Sequence, residues 1–106
     1  MSDALTEILK LKELTKSEVI KNADINEIYG FQIFSGVGNP SRGKLISLCI
    51  GMKLNIDETQ ELLKIAGFAP LYPKNKRDSI IIFGIRNNHN VMTINESLYE
   101  NLENTI

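Results

Sequence analysis

The sequence contains few of the residues on which several classes of protein depend. Its 106 residues include one cysteine, one histidine and no tryptophan. A lone cysteine excludes a disulfide framework and a zinc site built from several thiolates, and a lone histidine excludes catalysis by a histidine pair within one chain. No apolar run approaches the roughly 20 residues that cross a bilayer, and the acidic, amphipathic N-terminal segment is unlike a signal peptide. We therefore expect a cytoplasmic protein with no membrane partner, no metal and no cofactor.

Net charge is also nearly absent. The chain has 12 Lys and Arg against 13 Asp and Glu, a formal net charge of −1, so it lacks the strongly basic character of many nucleic-acid-binding domains. The charge is uneven, however, because residues 27–53 carry +2 and residues 78–106 carry −3. The apolar content of 42% and the length predict a single globular domain over residues 1–106.

Signals for helix starts recur along the chain. The capping-box spacing, in which a polar N-cap is followed three residues later by glutamate, occurs at Thr15 with Glu18, Asn55 with Glu58, and Thr93 with Glu96. Asn26 and Ser41 are further candidate N-caps. Gly67 followed by Pro70 is a helix-stop signal. Most of the chain is therefore predicted to be α-helical.

The β-branched run over residues 79–85 does not by itself distinguish a buried strand from a buried helix. Because a lone strand would have no partner elsewhere in the sequence, we predict a buried helix that begins near residues 75–78. The asparagine-rich segment 87–90 is then its terminating loop. Cys49 lies on an apolar helical stripe and is predicted to be a small buried hydrophobic residue. The predicted fold class is all-α.

Residues 15–40 have the layout of two capped helices joined by a tight turn. The first helix runs from Thr15 towards Asp24, a residue type that tolerates the left-handed conformation such a turn commonly needs. A second helix over residues 26–35 follows and ends in a segment rich in glycine and proline. Two helices joined by a turn of this length can place the second one in a DNA major groove.

This layout resembles the lambda-repressor-like helix-turn-helix family, the Cro/C1 or XRE type. Positions of the family motif fall in register without a gap at Leu14, Thr15, Val19, Ile25, Asn26, Ile33, Gly36 and Pro40. The resemblance covers about residues 3–67 and implies a compact five-helix DNA-binding bundle, extended by one or two helices in residues 68–106. It further implies a sequence-specific DNA-binding transcriptional regulator of bacterial type, in our interpretation a repressor, with double-stranded DNA as partner and no enzymatic activity.

The resemblance assigns roles to individual residues. Family positions that contact base edges correspond to Glu27, Ile28 and Gln32. Family positions that contact the DNA backbone correspond to Lys16, Ser17, Ser35, Asn39, Ser41, Arg42 and Lys44. These residue types suit the roles, because glutamine can bond adenine with two hydrogen bonds and isoleucine can touch a thymine methyl group.

Three positions depart from the family pattern. Ile20 stands where a small alanine is usual, so we expect crowding between the second and third helices. The second helix of the motif contains Gly30, which lowers helix propensity by about 1 kcal/mol relative to alanine. Val37 replaces a lysine that the family places in the loop after the base-contacting helix.

Other functions remain as alternatives. Phe31 and Phe34 occupy positions that are commonly polar in the family, and one Phe is expected to enter the core. The chain is alternatively a protein-interaction module without DNA binding, in which Ile28, Tyr29, Phe31 and Phe34 form an apolar contact patch. Ile94, Leu98, Tyr99 and Leu102 form an amphipathic terminal helix that is expected to pack on the domain itself, with a homodimer contact through the last three of them as the alternative. Residues 38–44 fit a phosphate-binding loop superficially, but Leu45 replaces the Ser or Thr that such a loop needs. No catalytic residue set and no small-molecule substrate are evident.

Overall fold

The computed structural model describes all residues 1–106 and consists of seven α-helices with no strand. The helices are α1 (Ser2–Lys12), α2 (Lys16–Asn22), α3 (Glu27–Ser35), α4 (Arg42–Gly51), α5 (Ile56–Ile65), α6 (Lys76–Arg86) and α7 (Val91–Glu100). The prediction of an all-α fold is confirmed, and five of the helices precede Gly67. The Cα radius of gyration, 12.8 Å, matches the value of about 13 Å expected of a compact globule of this length. None of the helices combines the length and the apolar character needed to cross a membrane.

The helix starts follow from side-chain caps. Every helix after α1 begins behind a Ser, Thr or Asn whose side-chain oxygen accepts a hydrogen bond from a backbone N–H of the first turn. The capping boxes predicted at Thr15 and Asn55 are both present, each with a reciprocal bond from the N-cap N–H to the glutamate. The N-caps predicted at Asn26 and Ser41 are also confirmed. Local polar chemistry therefore sets where these helices begin.

The third predicted capping box is wrong. Helix α7 begins two residues before Thr93, because Asn90 Oδ1 accepts a hydrogen bond of 2.8 Å from the Thr93 N–H and so acts as the N-cap. Thr93 thus lies inside the first turn. The helix also ends at Glu100, so Leu102 lies beyond α7 in a left-handed conformation, with φ of 59°.

The buried apolar residues form one cluster of 24 that draws on both the first five helices and the last two. The run 79–85, predicted as a buried helix, lies within α6 and buries Ile81, Ile82 and Ile85. Cys49 is fully buried, as predicted. Burial raises the pKa of its thiol to about 12, which disfavours thiolate chemistry.

The C-terminal segment folds back onto the start of α4. Ile106 is buried, and its backbone N–H donates to Asn95 Oδ1 at 2.8 Å. Arg77 donates to the carbonyl oxygens of residues 104 and 105 at 2.8 and 3.2 Å. A methyl group built at Gly43 would lie 3.6 Å from the Cα of Ile106, so this segment touches the first turn of α4.

Candidate nucleic-acid interface

Four residues, 23–26, join α2 to α3 and set the direction of α3. Asp24 has φ of 55°, the left-handed conformation that the sequence predicts. Its N–H donates to the Lys21 carbonyl at 3.1 Å, and the N–H of Ile25 donates to the Ile20 carbonyl at 3.3 Å. Ile25 is buried beneath the turn. The turn is therefore stabilised by two backbone hydrogen bonds and by a side chain in the core.

Helix α2 also packs closely against α3 and α4. A Cβ placed on Gly30 of α3 would lie 2.7 Å from a side-chain carbon of Ile20 on α2. A Cβ on Gly51 of α4 would lie 2.7 Å from the backbone oxygen of Val19. The two departures from the family pattern at Ile20 and Gly30 therefore compensate one another, because the missing Cβ makes room for the larger side chain. The expected crowding at Ile20 is therefore avoided, because Gly30 has no side chain at this contact.

Helix α3 buries one face and exposes the other. Gly30, Ile33 and Phe34 face the core. The opposite side presents Glu27, Ile28, Phe31, Gln32 and Ser35, all exposed. The three residues assigned to base edges thus lie on one accessible face, and Ile28 is 71% exposed. We call these five exposed residues the α3 face.

The α3 face itself carries no positive charge. Its one charged residue is Glu27, which is negative. Lys16 is exposed in the first turn of α2, and Lys44 is partly exposed in the first turn of α4. The Ser41 hydroxyl caps α4 by accepting from the Lys44 N–H at 3.2 Å. The two lysines that the resemblance assigns to the DNA backbone therefore lie in the first turns of α2 and α4.

The remaining residues assigned to the DNA backbone are accessible, with one exception. Ser17, Ser35, Asn39 and Ser41 are exposed. Arg42 instead directs its guanidinium into the protein, where it donates to both carboxylate oxygens of Asp78, to the carbonyl of Ala69 at 3.0 Å and to that of Pro70 at 3.1 Å. With these contacts in place it is not presented to a phosphate, and we leave it out of the interface.

The aromatic residues of α3 divide between core and surface. Phe34 is 3% exposed, whereas Phe31 is 39% exposed, so the expectation that one Phe enters the core is confirmed. Phe34 cannot be a surface contact. The half-buried Tyr29 donates through its hydroxyl to the Asn39 carbonyl at 3.4 Å and so connects α3 to the loop that precedes α4.

Of the three residues predicted as a dimer contact near the C-terminal end, one is buried and two are exposed. Leu98 is fully buried in the core and is unavailable to a partner, because α7 turns that side towards α6 and α4. Tyr99 is 78% exposed and Leu102 is 94% exposed. The expectation that this helix packs on the domain is confirmed, and Leu98, a candidate contact residue in the alternative, lies in the core.

Sites for other chemistry are few. No group of three or more His, Cys, Asp and Glu side chains is arranged to hold a metal ion. His89 packs edge-to-face against Phe83, with ring centroids 5.8 Å apart. Residues 38–44, the superficial match to a phosphate-binding loop, follow a helix and lead into α4, without the preceding strand that such a loop requires.

The loop after α3 folds back on the helix at Val37, a residue for which the sequence predicted only the loss of a lysine. The N–H groups of Val37 and Gly38 both donate to the Gln32 carbonyl, at 3.0 and 3.1 Å, so the loop folds back on the last turn of α3. Val37 is 77% exposed there.

Compared with family models, with curated proteins and with solved structures, the chain matches none of them.

Proposed function

We propose that the chain is a sequence-specific DNA-binding transcriptional regulator of the lambda-repressor-like type, acting as a repressor in the bacterial cytoplasm. In this proposal α2, the turn and α3 form the helix-turn-helix, and α3 enters the major groove. The observation that carries the proposal is the α3 face, an accessible helix side fixed from behind by Ile33 and Phe34 and from its start by the turn. A helix held in this way meets the steric demand of the groove.

The α3 face supplies groups suited to base recognition. Gln32 is exposed and can bond adenine through its amide, while Ile28 offers an apolar surface to a thymine methyl group. Glu27 can accept a hydrogen bond from a cytosine amino group. Lys16 and Lys44 would contact phosphates, with the Ser17, Asn39 and Ser41 side chains as neutral donors. The Ser35 hydroxyl already donates to the Gln32 carbonyl at 2.9 Å and would have to give up that bond to reach a phosphate.

The thin positive charge supports a dimer as the DNA-binding form. A protomer with two flanking lysines has little non-specific attraction for DNA, so affinity would come from two half-sites bound together. Tyr99 and Leu102 are the exposed apolar residues that we assign to the homodimer contact. A two-fold dimer would place the α3 helices about 34–36 Å apart on a palindromic operator.

The experiment is selection of a bound sequence from a random duplex library, followed by titration at several salt concentrations. With four lysine–phosphate contacts per dimer, the slope of log K against log salt should be about −4. Lys16→Gln should lower that slope by about 2 per dimer, whereas Lys64→Gln, an exposed lysine on α5, should leave it unchanged. Gln32→Ala should weaken the selected site more than random duplex.

The proposal fails if no duplex binds below about 10 μM at low salt, a threshold tighter than the weak end of non-specific binding. In that case a second candidate has its own support. Ile28, Phe31 and Val37 are exposed apolar residues, and the one charge on the α3 face is an acid. A protein-interaction module would lose its partner on Phe31→Ala while keeping its helical circular dichroism, and it would show no salt-dependent DNA binding.

A further inference from the structure

A cleft of about 580 Å³ lies behind the turn between α2 and α3. One wall is formed by residues 21–24 at the end of α2 and the start of the turn. The second wall is formed by the connection between α4 and α5, and the third by residues 88–92, which join α6 to α7. The cleft therefore lies where the turn meets the last two helices. Its volume lies in the range of sites that bind small molecules, about 300–1,000 Å³.

The charged groups of the cleft are unbalanced. Lys21 and Lys53 line it from two different walls, against a single carboxylate, Asp24. The ion pairs of this protein are Lys12 with Glu58 and Arg42 with Asp78, so neither cleft lysine has a carboxylate within 4.0 Å. With two ammonium groups against one carboxylate, the lining has a net positive charge that attracts an anion.

The floor of the cleft is apolar. Leu54, Ile85 and Val91 contribute side chains that are 5%, 7% and 1% exposed, so they belong to the core and give the cleft a fixed base. Met92 stands at the rim, 62% exposed. A flexible thioether at a rim is well suited to cover the apolar part of a ligand.

We propose that this cleft binds a small organic anion, with its charged head between Lys21 and Lys53 and a short apolar body on the floor. The ligand would bridge the α2–α3 turn and the α6–α7 connection, since it touches both. Binding of the ligand does not rest on the proposed DNA function.

The test uses hexanoate and hexyl phosphate as probes, with hexan-1-ol as the neutral counterpart and acetate as the head group alone. In nitrogen-15 NMR titrations, the two six-carbon anions should shift the amide signals of residues 21–24 and 88–92 together, with a Kd of about 1 mM or tighter. The stronger of the two identifies the preferred head group. Hexan-1-ol and acetate should each bind at least about fivefold more weakly, because each lacks one half of the interaction.

The lysines are tested by substitution. Lys21→Gln and Lys53→Gln should each weaken the better anion about threefold, and the double variant about tenfold. Both side chains are exposed, so the melting temperature of the unliganded variants should stay near that of the parent. Lys64→Gln carries the same charge change outside the cleft and should have no effect on binding. Equal binding of hexan-1-ol and hexanoate, shifts spread over all surface lysines, or an unchanged Kd in the double variant would each overturn the proposal.

Discussion

Arg42 on α4 and Asp78 on α6 form a bidentate ion pair, with Nη1 to Oδ1 at 3.1 Å and Nη2 to Oδ2 at 3.0 Å. The same guanidinium donates to the carbonyls of Ala69 and Pro70, and the carboxylate accepts from the Tyr72 N–H at 3.0 Å. The pair thus fastens α4, α6 and the segment between α5 and α6 at one point. The Asp78 side chain is 9% exposed, so solvent screens the pair little.

Breaking this pair should destabilise the protein strongly. Arg42→Ala leaves the Asp78 carboxylate with the Tyr72 N–H as its remaining donor and two carbonyls without their guanidinium donor, and we expect a loss of about 2–4 kcal/mol in the free energy of unfolding. The exposed pair of Lys12 with Glu58, at 3.4 Å, is the matched control, and Lys12→Ala should cost less than about 1 kcal/mol. Urea denaturation of both variants provides the comparison. Equal losses would contradict the assigned role of the buried pair.

The same pair predicts a dependence of stability on pH. Burial by itself raises the pKa of Asp78, but hydrogen bonds from Arg42 and Tyr72 and the charges of Arg42 and Arg77 outweigh it, so the pKa lies below the ordinary value of an aspartate. Because the folded-state pKa is lowered, the stabilisation is present above the unfolded-state pKa and is lost as pH falls through the folded-state value.

The measurement is the urea midpoint of the parent and of Asp78→Asn between pH 2 and pH 6. The difference between them should be largest at pH 5–6 and should shrink as the pH falls below about 4. A difference that stays constant over this interval would mean that the carboxylate does not titrate with the predicted shift.

The contact between Gly30 and Ile20 predicts a sign change in a double-mutant cycle. In the parent, Gly30→Ala should destabilise the protein by about 1–2 kcal/mol, because the new methyl group meets Ile20. In the Ile20→Ala background the space is free, and the same change should be neutral or stabilise by up to about 1 kcal/mol through helix propensity. Thermal or urea unfolding of the four proteins measures the coupling energy. Additive effects would refute the compensation.

The start of α7 predicts a difference between two neighbouring polar residues. Asn90→Ala removes the acceptor for the Thr93 N–H and should cost about 1 kcal/mol. Thr93→Ala removes no cap, since only the backbone N–H of Thr93 takes part, and should cost clearly less. Hydrogen exchange of the first turn of α7 should accelerate in the first variant alone. A larger loss of stability in Thr93→Ala than in Asn90→Ala would show that Thr93 is the N-cap of α7.

Most features set by neighbouring residues were predictable from the sequence, with the exception of the start of α7, where Asn90 and not Thr93 is the N-cap. The caps at Thr15, Asn26, Ser41 and Asn55 and the left-handed Asp24 all follow from local hydrogen bonding, and the structure has each of them. The helical run 79–85 could be inferred because a strand needs a partner.

Features that depend on distant contacts were not predictable in this way. Arg42 is 36 positions from Asp78, and nothing in the local sequence distinguishes a structural arginine from one that awaits a phosphate. Leu98 and Tyr99 are adjacent on one helix, and which of them is buried depends on where α7 meets α6 and α4. The cleft behind the turn combines three separate chain segments and has no signature in any one of them.

The docking of Ile106 near Gly43 has a consequence for the order of folding. The first turn of α4 is completed by a segment about sixty positions later in the chain, so a long loop must close before that turn gains its full set of neighbours. A contact of such sequence separation forms late and slowly compared with the local caps. We therefore expect the helices to nucleate through their local caps before the contact between Gly43 and Ile106 forms.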